Sequence, residues 1–370
     1  MDNEKLYQVA LHLIPGIGNT NIKNLISYCG SAEQALKSTK GKLSKIPGVG
    51  SYTAGIINSA STLQQAEEEL TRAIKANVQV LFYTDKKYPN HLKGVNDAPP
   101  ILYYKGKGDL NANKMVAIVG TRKATEYGKE VTDKLVADLA KHNATIVSGL
   151  AYGIDIQAHK AALKHDLSTI GVMACGMDHF YPSVHKKTAE FMLEQGGLIT
   201  ENRFGIKPDP HRFPARNRII AGMAEAVIIV EAAKRGGALI TAEIANSYNR
   251  DVFAFPGSAQ MSYSEGCNHL IKTNKAHLIT QVEDIEYLMN WDIGSSEEQK
   301  KSNTKIDMSK LDTNEQAIMM LFDNEEKTMF IDDICFKAQM SISLVASTLL
   351  SLEFKGIVKS LPGKKYKLSI

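Results

Sequence analysis

Cysteine is scarce in this 370-residue chain. Cys29, Cys175, Cys267 and Cys335 stand far apart, with no CxxC pair and no histidine at zinc spacing beside them. That excludes a zinc-finger arrangement and suits a reducing cytoplasm. Long apolar runs are missing too. Nothing approaches the roughly 20 residues that cross a bilayer, so no membrane role is expected. The N-terminus carries the acids Asp2 and Glu4, and its apolar run is too short for a signal peptide. Three familiar signatures are lacking as well: GxGxxG followed by an acid, the GxxxxGK[ST] phosphate loop and the GxSxG elbow. Their absence argues against a dinucleotide fingerprint, a classical ATPase and a serine-nucleophile elbow. His159, His165, His179, His185 and His211 form no metal-ligand pattern and read as surface or internally bonded histidines. Neither a metal nor a cofactor is expected.

What is present describes an ordinary globular protein, 44% hydrophobic and 23% charged, long enough for two or three domains. The net charge of +4 permits a polyanionic partner without demanding one. One stretch organises the rest: Val116 to Gly128, VAIVGTRKATEYG. Val116–Val119 is an unbroken apolar run, the mark of a strand covered on both faces. Gly120, Thr121 and Arg122 follow. The pattern then predicts a helix over roughly Glu126–Lys141 with Thr125 as N-cap. A buried strand thus delivers a glycine, a hydroxyl and a guanidinium to a helix N-terminus, where N–H groups and the dipole favour an anion. Arg122 can grip a phosphate bidentately. The alternative is a plain strand-turn-helix with Arg122 solvated or ion-paired.

Upstream, Leu13-Ile-Pro-Gly-Ile-Gly18 is echoed by Lys45-Ile-Pro-Gly-Val-Gly50. Helical stretches follow each turn, Asn21–Tyr28 and Tyr52–Ser61. This small internal repeat resembles the helix-hairpin-helix family, whose Gly-x-Gly turns leave free N–H donors for a DNA phosphate. A hairpin used only for packing is equally open, since only Lys23, Lys42 and Lys45 lie near the turns. An acid-rich helix, Glu67–Ala76, then leads to a strand-like Val78–Phe82, and Tyr88-Pro89 and Pro99-Pro100 mark loops.

From about Lys114 to Leu288 strands and helices alternate. Strands are expected at Thr145–Ser148, Thr169–Ala174, Ala226–Glu231, Val252–Phe255 and His277–Thr280, with helices at Asp155–His165, Ser183–Glu194, Asn217–Ala224 and Ala238–Asn249. The alternation predicts an α/β fold with a doubly wound, mostly parallel sheet, whose ligands sit at the carboxyl ends of the strands. Those ends are glycine-rich: Gly120, Gly149, Gly176, Gly236-Gly237 and Gly257. Asp155, opening a helix, reads most simply as a charge that stabilises the dipole.

One cluster is strongly basic. In RFGIKPDPHRFPARNR, Arg203 to Arg218, five residues are cationic (Arg203, Lys207, Arg212, Arg216, Arg218) and only Asp209 is acidic. Phe204 and Phe213 are interleaved, and three prolines are expected to hold much of the stretch out of regular structure. Cations along a backbone beside aromatic faces are what sequence-tolerant single-strand binding requires. A solvated loop with Arg216 and Arg218 paired to acids is the competing possibility.

IVGTRKATEYG, SGLAYGIDIQAH, GVMACGMDHFYP, FPARNRIIAGMAEAVIIVEA, RGGALITAEIA and VFAFPG occur in order between Ile118 and Gly257. Together they resemble the DprA family of DNA-processing proteins, also called Smf, across essentially the whole chain. The resemblance implies an extended Rossmann-type core that dimerises and binds single-stranded DNA. It also implies a recombination mediator, not an enzyme, that protects incoming DNA and loads the RecA recombinase during natural transformation. It places Gly120, Thr121, Arg122, Phe213, Arg216 and Asn217 at the DNA pocket. Gly149, Gly237, Thr241, Arg218 of the basic stretch and Lys186, after Tyr181-Pro182, complete the candidate set. Many relatives have arginine before Gly-Ile-Asp, where this chain has Tyr152, and Ser-Gly-Ser where it has Gly236-Gly237-Ala238. The competing function is a nucleoside-monophosphate-cleaving enzyme of the related superfamily. Arg235–Glu243 has the paired glycines and acid of its PGGxGTxxE motif but not the third glycine and threonine.

Residues 293 to 310 are Ser-, Glu- and Lys-rich, hence a linker. Beyond it, three helices are expected: one capped by Thr313 and running through Phe322, then Ile331–Ala338 and Ser341–Phe354. Strands Ile357–Leu361 and Tyr366–Leu368 flank Pro-Gly-Lys-Lys as a wing, and the whole resembles a winged-helix domain. Its third helix has only Lys355 near its end, so protein contact, or weak duplex contact through Lys364 and Lys365, is favoured over groove reading. The division expected is a helix-hairpin-helix/SAM-like domain over 1–76, the Rossmann-type core over 77–290, a linker over 291–310 and the winged helix over 311–370.

Overall fold

The computed structural model describes residues 3–59, 62–291, 308, 311–322, 328–361 and 365–368. It divides into two compact units, Met1–Met289 and Asn290–Ile370. The first opens with six helices: α1 (Asn3–Leu13), α2 (Asn19–Cys29), α3 (Ala32–Lys37), α4 (Lys40–Leu43), α5 (Ser51–Ser59) and α6 (Leu63–Lys75). The two PGhG turns join α1 to α2 and α4 to α5. Gly16 and Gly48 sit there at φ of +80° and +83°, a region that side chains with a Cβ avoid. The second turn meets α2: Asn24 Nδ2 donates to Pro47 O at 3.1 Å. The repeat is therefore two hairpins packed on each other, over buried Val9, Leu11, Ile22, Leu25 and Ile57.

The core follows as β1 (Gln79–Phe82), α7 (Asn90–Lys93), β2 (Ile101–Gly106), β3 (Met115–Val119), α8 (Glu126–Leu139), β4 (Thr145–Ser148), α9 (Ile154–Lys164), β5 (Thr169–Val172), α10 (Lys186–Gln195) and β6 (Gly197–Thr200). It continues as α11 (Arg212–Met223), β7 (Ala226–Ile229), α12 (Gly237–Ser247), β8 (Asp251–Ala254), α13 (Glu265–Lys272), β9 (His277–Leu278) and α14 (Val282–Met289). The sheet order is β1-β2-β6-β5-β4-β3-β7-β8-β9. β1 and β2 pair antiparallel, as do β2 and β6; the remaining neighbours are parallel. Central β3 is buried along its whole length. This is the expected doubly wound sheet, mostly parallel, with one departure. β2 follows the Pro99-Pro100 break, which marks a loop on local signals, yet its buried Leu102 and Tyr103 carry the sheet outward to β1.

A second departure concerns the basic stretch. The helix expected near Asn217 begins at Arg212, so Phe213, Arg216 and Arg218 are helical residues. Pro214 lies in the first turn, where a missing N–H breaks no intrahelical bond. Among the described residues no helix is long and apolar enough to cross a membrane.

The second unit contains α15 (Thr313–Phe322), β10 (Thr328–Phe330), α16 (Ile331–Ala338), α17 (Ile342–Phe354), β11 (Val358–Leu361) and β12 (Lys365–Leu368), with strand order β10-β12-β11. The cap of α15 is Asp312 rather than Thr313. Its Oδ1 accepts from Asn314 N and Glu315 N at 2.8 Å, and Glu315 Oε2 accepts from Asp312 N at 2.9 Å, a reciprocal capping box. β10 lay outside the sequence reading because three residues give no periodicity. Apart from Trp291 and Met308, the expected linker lies outside the described residues, as does Lys364.

One half-buried acid gives the core a pH dependence. Burial pushes Glu225 up to about 7 against the pull of Lys114, and its Oε1 is buried without a hydrogen-bond partner. The folded value lies above the unfolded one. The stabilisation is therefore complete below about pH 4.5 and is lost as pH rises through about 7. Glu225→Gln should flatten the melting temperature across that window and stabilise the protein at pH 8 by about 1–2 kcal/mol, after allowance for its partial exposure. Thermal melts of both proteins at each pH check this.

Candidate functional site

The order of the strands reverses at β3. Successive connections run outward through β4, β5 and β6 on one side, and through β7, β8 and β9 on the other. The crevice beyond the carboxyl ends of β3 and β7 is thus the switch point where such sheets bind ligands. A cleft of about 660 Å³ opens there. Gly120, Thr121, Arg122 and Lys123 line it after β3, Arg235, Gly236 and Gly237 after β7, and Phe213, Arg216 and Asn217 from α11.

The first wall is held by Glu231, two residues beyond β7 and 4% exposed. Its carboxylate accepts from Thr125 Oγ1 at 2.6 Å and Thr125 N at 2.9 Å, and its carbonyl from Thr121 N at 2.7 Å. Thr125 Oγ1 in turn accepts from Gly128 N at 3.2 Å, the expected N-cap of α8. The turn is locked from the other side by Gly153, at φ +79°, where a Cβ would stand 2.1 Å from Thr121 O. Arg122 is therefore an exposed side chain on a rigid turn.

Arg216 is different in kind. It is 5% exposed, and its Nη1 donates to Gly149 O and Val172 O. Its Nε donates to Asn217 Oδ1 at 3.2 Å, and Asn217 Nδ2 to Gly237 O at 3.2 Å. Burial pushes the guanidinium down, with Asp155 opposing and Arg122 adding to it. Burial likewise pushes buried Asp155 up, while Arg216 and the adjoining backbone of Ala151, Gly149 and Gly120 hold it down. Gly149 is glycine because a Cβ would lie 2.3 Å from Arg216 Nη1. Arg216 thus ties β4, β5 and α11 together beneath the cleft and presents little surface to it.

Over that floor lies an aromatic and cationic row. The Arg122 guanidinium stands 5.6 Å from the Phe213 ring centre, and Phe213 stands 5.6 Å from Tyr181, itself 49% exposed. Thr241 lines the cleft but is 1% exposed and donates back to Gly237 O at 3.0 Å. Of the candidates, the structure brings together Gly120, Thr121, Arg122, Phe213, Arg216, Asn217, Gly237 and Thr241, with Gly149 directly behind Arg216. Arg218 points elsewhere, ion-paired to Glu201 and donating to Asp97 O at 2.6 Å. Lys186 is exposed at the start of α10 and does not line the cleft.

Asp155 and Glu231 were not singled out by the sequence for what they do here. Their signal is slight: Asp155 stands two residues after Gly153 and Glu231 closes the apolar run Ala226–Val230, positions indistinguishable from those of a helix-capping or surface charge. Among the described residues no group of His, Cys, Asp and Glu is placed to hold a metal ion. His159 and His185 are buried, bonded through Nδ1 to Thr169 Oγ1 at 2.7 Å and Leu150 O at 2.8 Å.

Comparison with known proteins bears on this geometry. Residues 79–290 match the family described as DNA recombination-mediator protein A, and residues 309–364 match the DprA winged helix domain. Protein Smf of Synechocystis sp. is 31% identical over 99% of either chain. The crystal structure of DNA processing protein A from Streptococcus pneumoniae is 33% identical. It covers 78% of this chain and 98% of its own, with a TM-score of 0.63. A structure of DNA processing protein A from Helicobacter pylori, described for its single-stranded DNA binding mode, is 30% identical. It covers 58% of this chain and 95% of its own, with a TM-score of 0.52. The strand order, the cleft at its switch point and these matches together make the chain a member of the DprA/Smf family of DNA recombination mediators.

Proposed function

We propose that this protein binds single-stranded DNA in the switch-point cleft and acts as a recombination mediator rather than an enzyme. The observation that carries the reading is the convergence of exposed Arg122 with the Phe213 ring above a rigid floor. A guanidinium takes the phosphate and a ring takes the base. The solved relative from Helicobacter pylori, described for its single-stranded DNA binding, supports the same reading. By the family's role, the protein protects incoming DNA and hands it to RecA in the cytoplasm during natural transformation. The test is a gel shift comparing single with double strands over a range of salt. Preference for duplex, or no binding at low salt, would sink the proposal.

The competing enzyme reading rests on Arg235–Glu243, and here its acid is unsuited. Glu243 lies outside the cleft and pairs with Lys275 at 2.6 Å. Incubation with nucleoside monophosphates should release no free base.

We assign the single-strand site and a homodimer interface to the first unit. Ile244 of α12 and Tyr248 just after it pack against the core, and Tyr248 donates to Asp97, so neither is spare surface for an interface. Leu278, Tyr287 and Leu288 are the exposed apolar side chains on β9 and α14, at 50%, 83% and 39% exposure. In the second unit, Lys355 is held by buried Glu315 at 2.6 Å, which leaves the third helix without an unpaired cation for a phosphate. A chain ending at Asn290 should remain a dimer by light scattering and change single-strand affinity by no more than about threefold, as expected when no charge-assisted contact is lost. A monomer, or a hundredfold loss, would move these sites to the tail.

A further inference from the structure

The loops at the carboxyl edge of the sheet differ in chemistry in the order in which the strands lie. Along β5-β4-β3-β7, the loop after β5, residues 173–185, contains no Lys or Arg and presents Tyr181 at 49% exposure. The loop after β4, residues 149–153, contains none either and presents Tyr152 at 47% exposure. The loop after β3 carries Arg122 and Lys123, and the loop after β7 carries Lys234 and Arg235, all exposed. One wall of the cleft is therefore aromatic and free of Lys and Arg, and the other is cationic.

Both tyrosines are braced rather than loose. Tyr181 leans on Phe213, ring centres 5.6 Å apart. Tyr152 follows Ala151 of the cleft lining and meets His185 edge-on at 5.1 Å. His185 is buried and bonded through Nδ1 to Leu150 O at 2.8 Å. A half-exposed ring with a fixed brace offers a flat face at little ordering cost.

We infer that a single strand lies across this edge with its phosphates on the β3 and β7 loops and its bases turned to the β4 and β5 loops. Tyr181 and Tyr152 then extend the stacking surface that Phe213 begins. This rests on the single-strand reading above and adds to it the strand's orientation and two recognition residues.

The test titrates the full chain with oligothymidylate and with an abasic strand of the same length across a salt series. Tyr181→Leu and Tyr152→Leu should each weaken oligothymidylate binding about tenfold without changing the salt slope, while binding the abasic strand as the unaltered protein does. Tyr181→Phe and Tyr152→Phe should restore the affinity. Tyr152→Arg should leave the slope unchanged because no phosphate faces that loop. A slope steeper by about 0.7 in that variant would place the backbone there and overturn the orientation. Leucine variants that stay folded by circular dichroism and bind oligothymidylate normally would overturn the aromatic wall alone. Failure of the unaltered protein to bind any strand would overturn the single-strand reading, and the wall with it.

Discussion

Arg216→Ala should destabilise the first unit by about 3–5 kcal/mol, the cost of removing one partner from a buried charged pair. The guanidinium is 5% exposed and satisfies the carbonyls of Gly149 and Val172. Without it those oxygens are stranded beneath the cleft. The buried Asp155 carboxylate, which Arg216 holds down against burial, is left uncompensated. A core of this size loses about 2–4 °C in melting temperature per kcal/mol, so a fall of roughly 10 °C is expected. Arg216→Lys should not rescue it, because one ammonium cannot reproduce the planar fork that spans two carbonyls and Asn217. Asp155→Asn in the same chain should recover part of the loss, since the two charges are coupled. Any fall in DNA affinity should track the melting curve. An Arg216→Ala protein that melts normally yet has lost DNA would return this residue to a direct phosphate contact.

That expectation reverses what local sequence suggests, and the reason is physical. In RFGIKPDPHRFPARNR the prolines and cations describe an exposed irregular stretch, and the family resemblance places Arg216 at the DNA pocket. Nothing within sixteen residues announces that α11 crosses beneath the strand ends, or that Gly149 leaves room there by lacking a Cβ. Long-range steric facts of this kind leave no periodicity. Arg218 is the same case: its partners Glu201 and Asp97 are distant in sequence. By contrast β3, its turn and α8 were legible because each signal is local: an apolar run, a glycine, and Thr125 three residues before the Gly128 N–H that it caps. The parallel sheet was legible for the same reason, since strand and helix periods alternate. β2 was not, because two prolines sit where the strand begins and proline punctuates more strongly than four apolar residues insist. Tyr181 and Tyr152 were visible as residues but not as a wall, since only the strand order sets their loops beside one another.

For Arg122 we propose the direct phosphate contact that Arg216 is too buried to make. Arg122 leaves the rigid turn held by Glu231 and Gly153, it is exposed, and it stands over the Phe213 ring at 5.6 Å. Arg122→Ala should therefore fold normally and bind single strands about ten- to a hundredfold more weakly, the worth of one charge-assisted contact of roughly 1.5–3 kcal/mol. The loss should be similar for different base sequences, and the salt slope should flatten by about 0.7. Phe213→Ala should lose roughly 1–3 kcal/mol through stacking with the slope unchanged. The two residues touch, so the double variant should fall short of the sum: the ring also holds the guanidinium in place, and part of each loss is shared. Fluorescence titrations of the three proteins at several salt concentrations separate these terms. A folded Arg122→Ala protein with wild-type affinity and wild-type slope would mean that the strand does not cross the β3 turn at all.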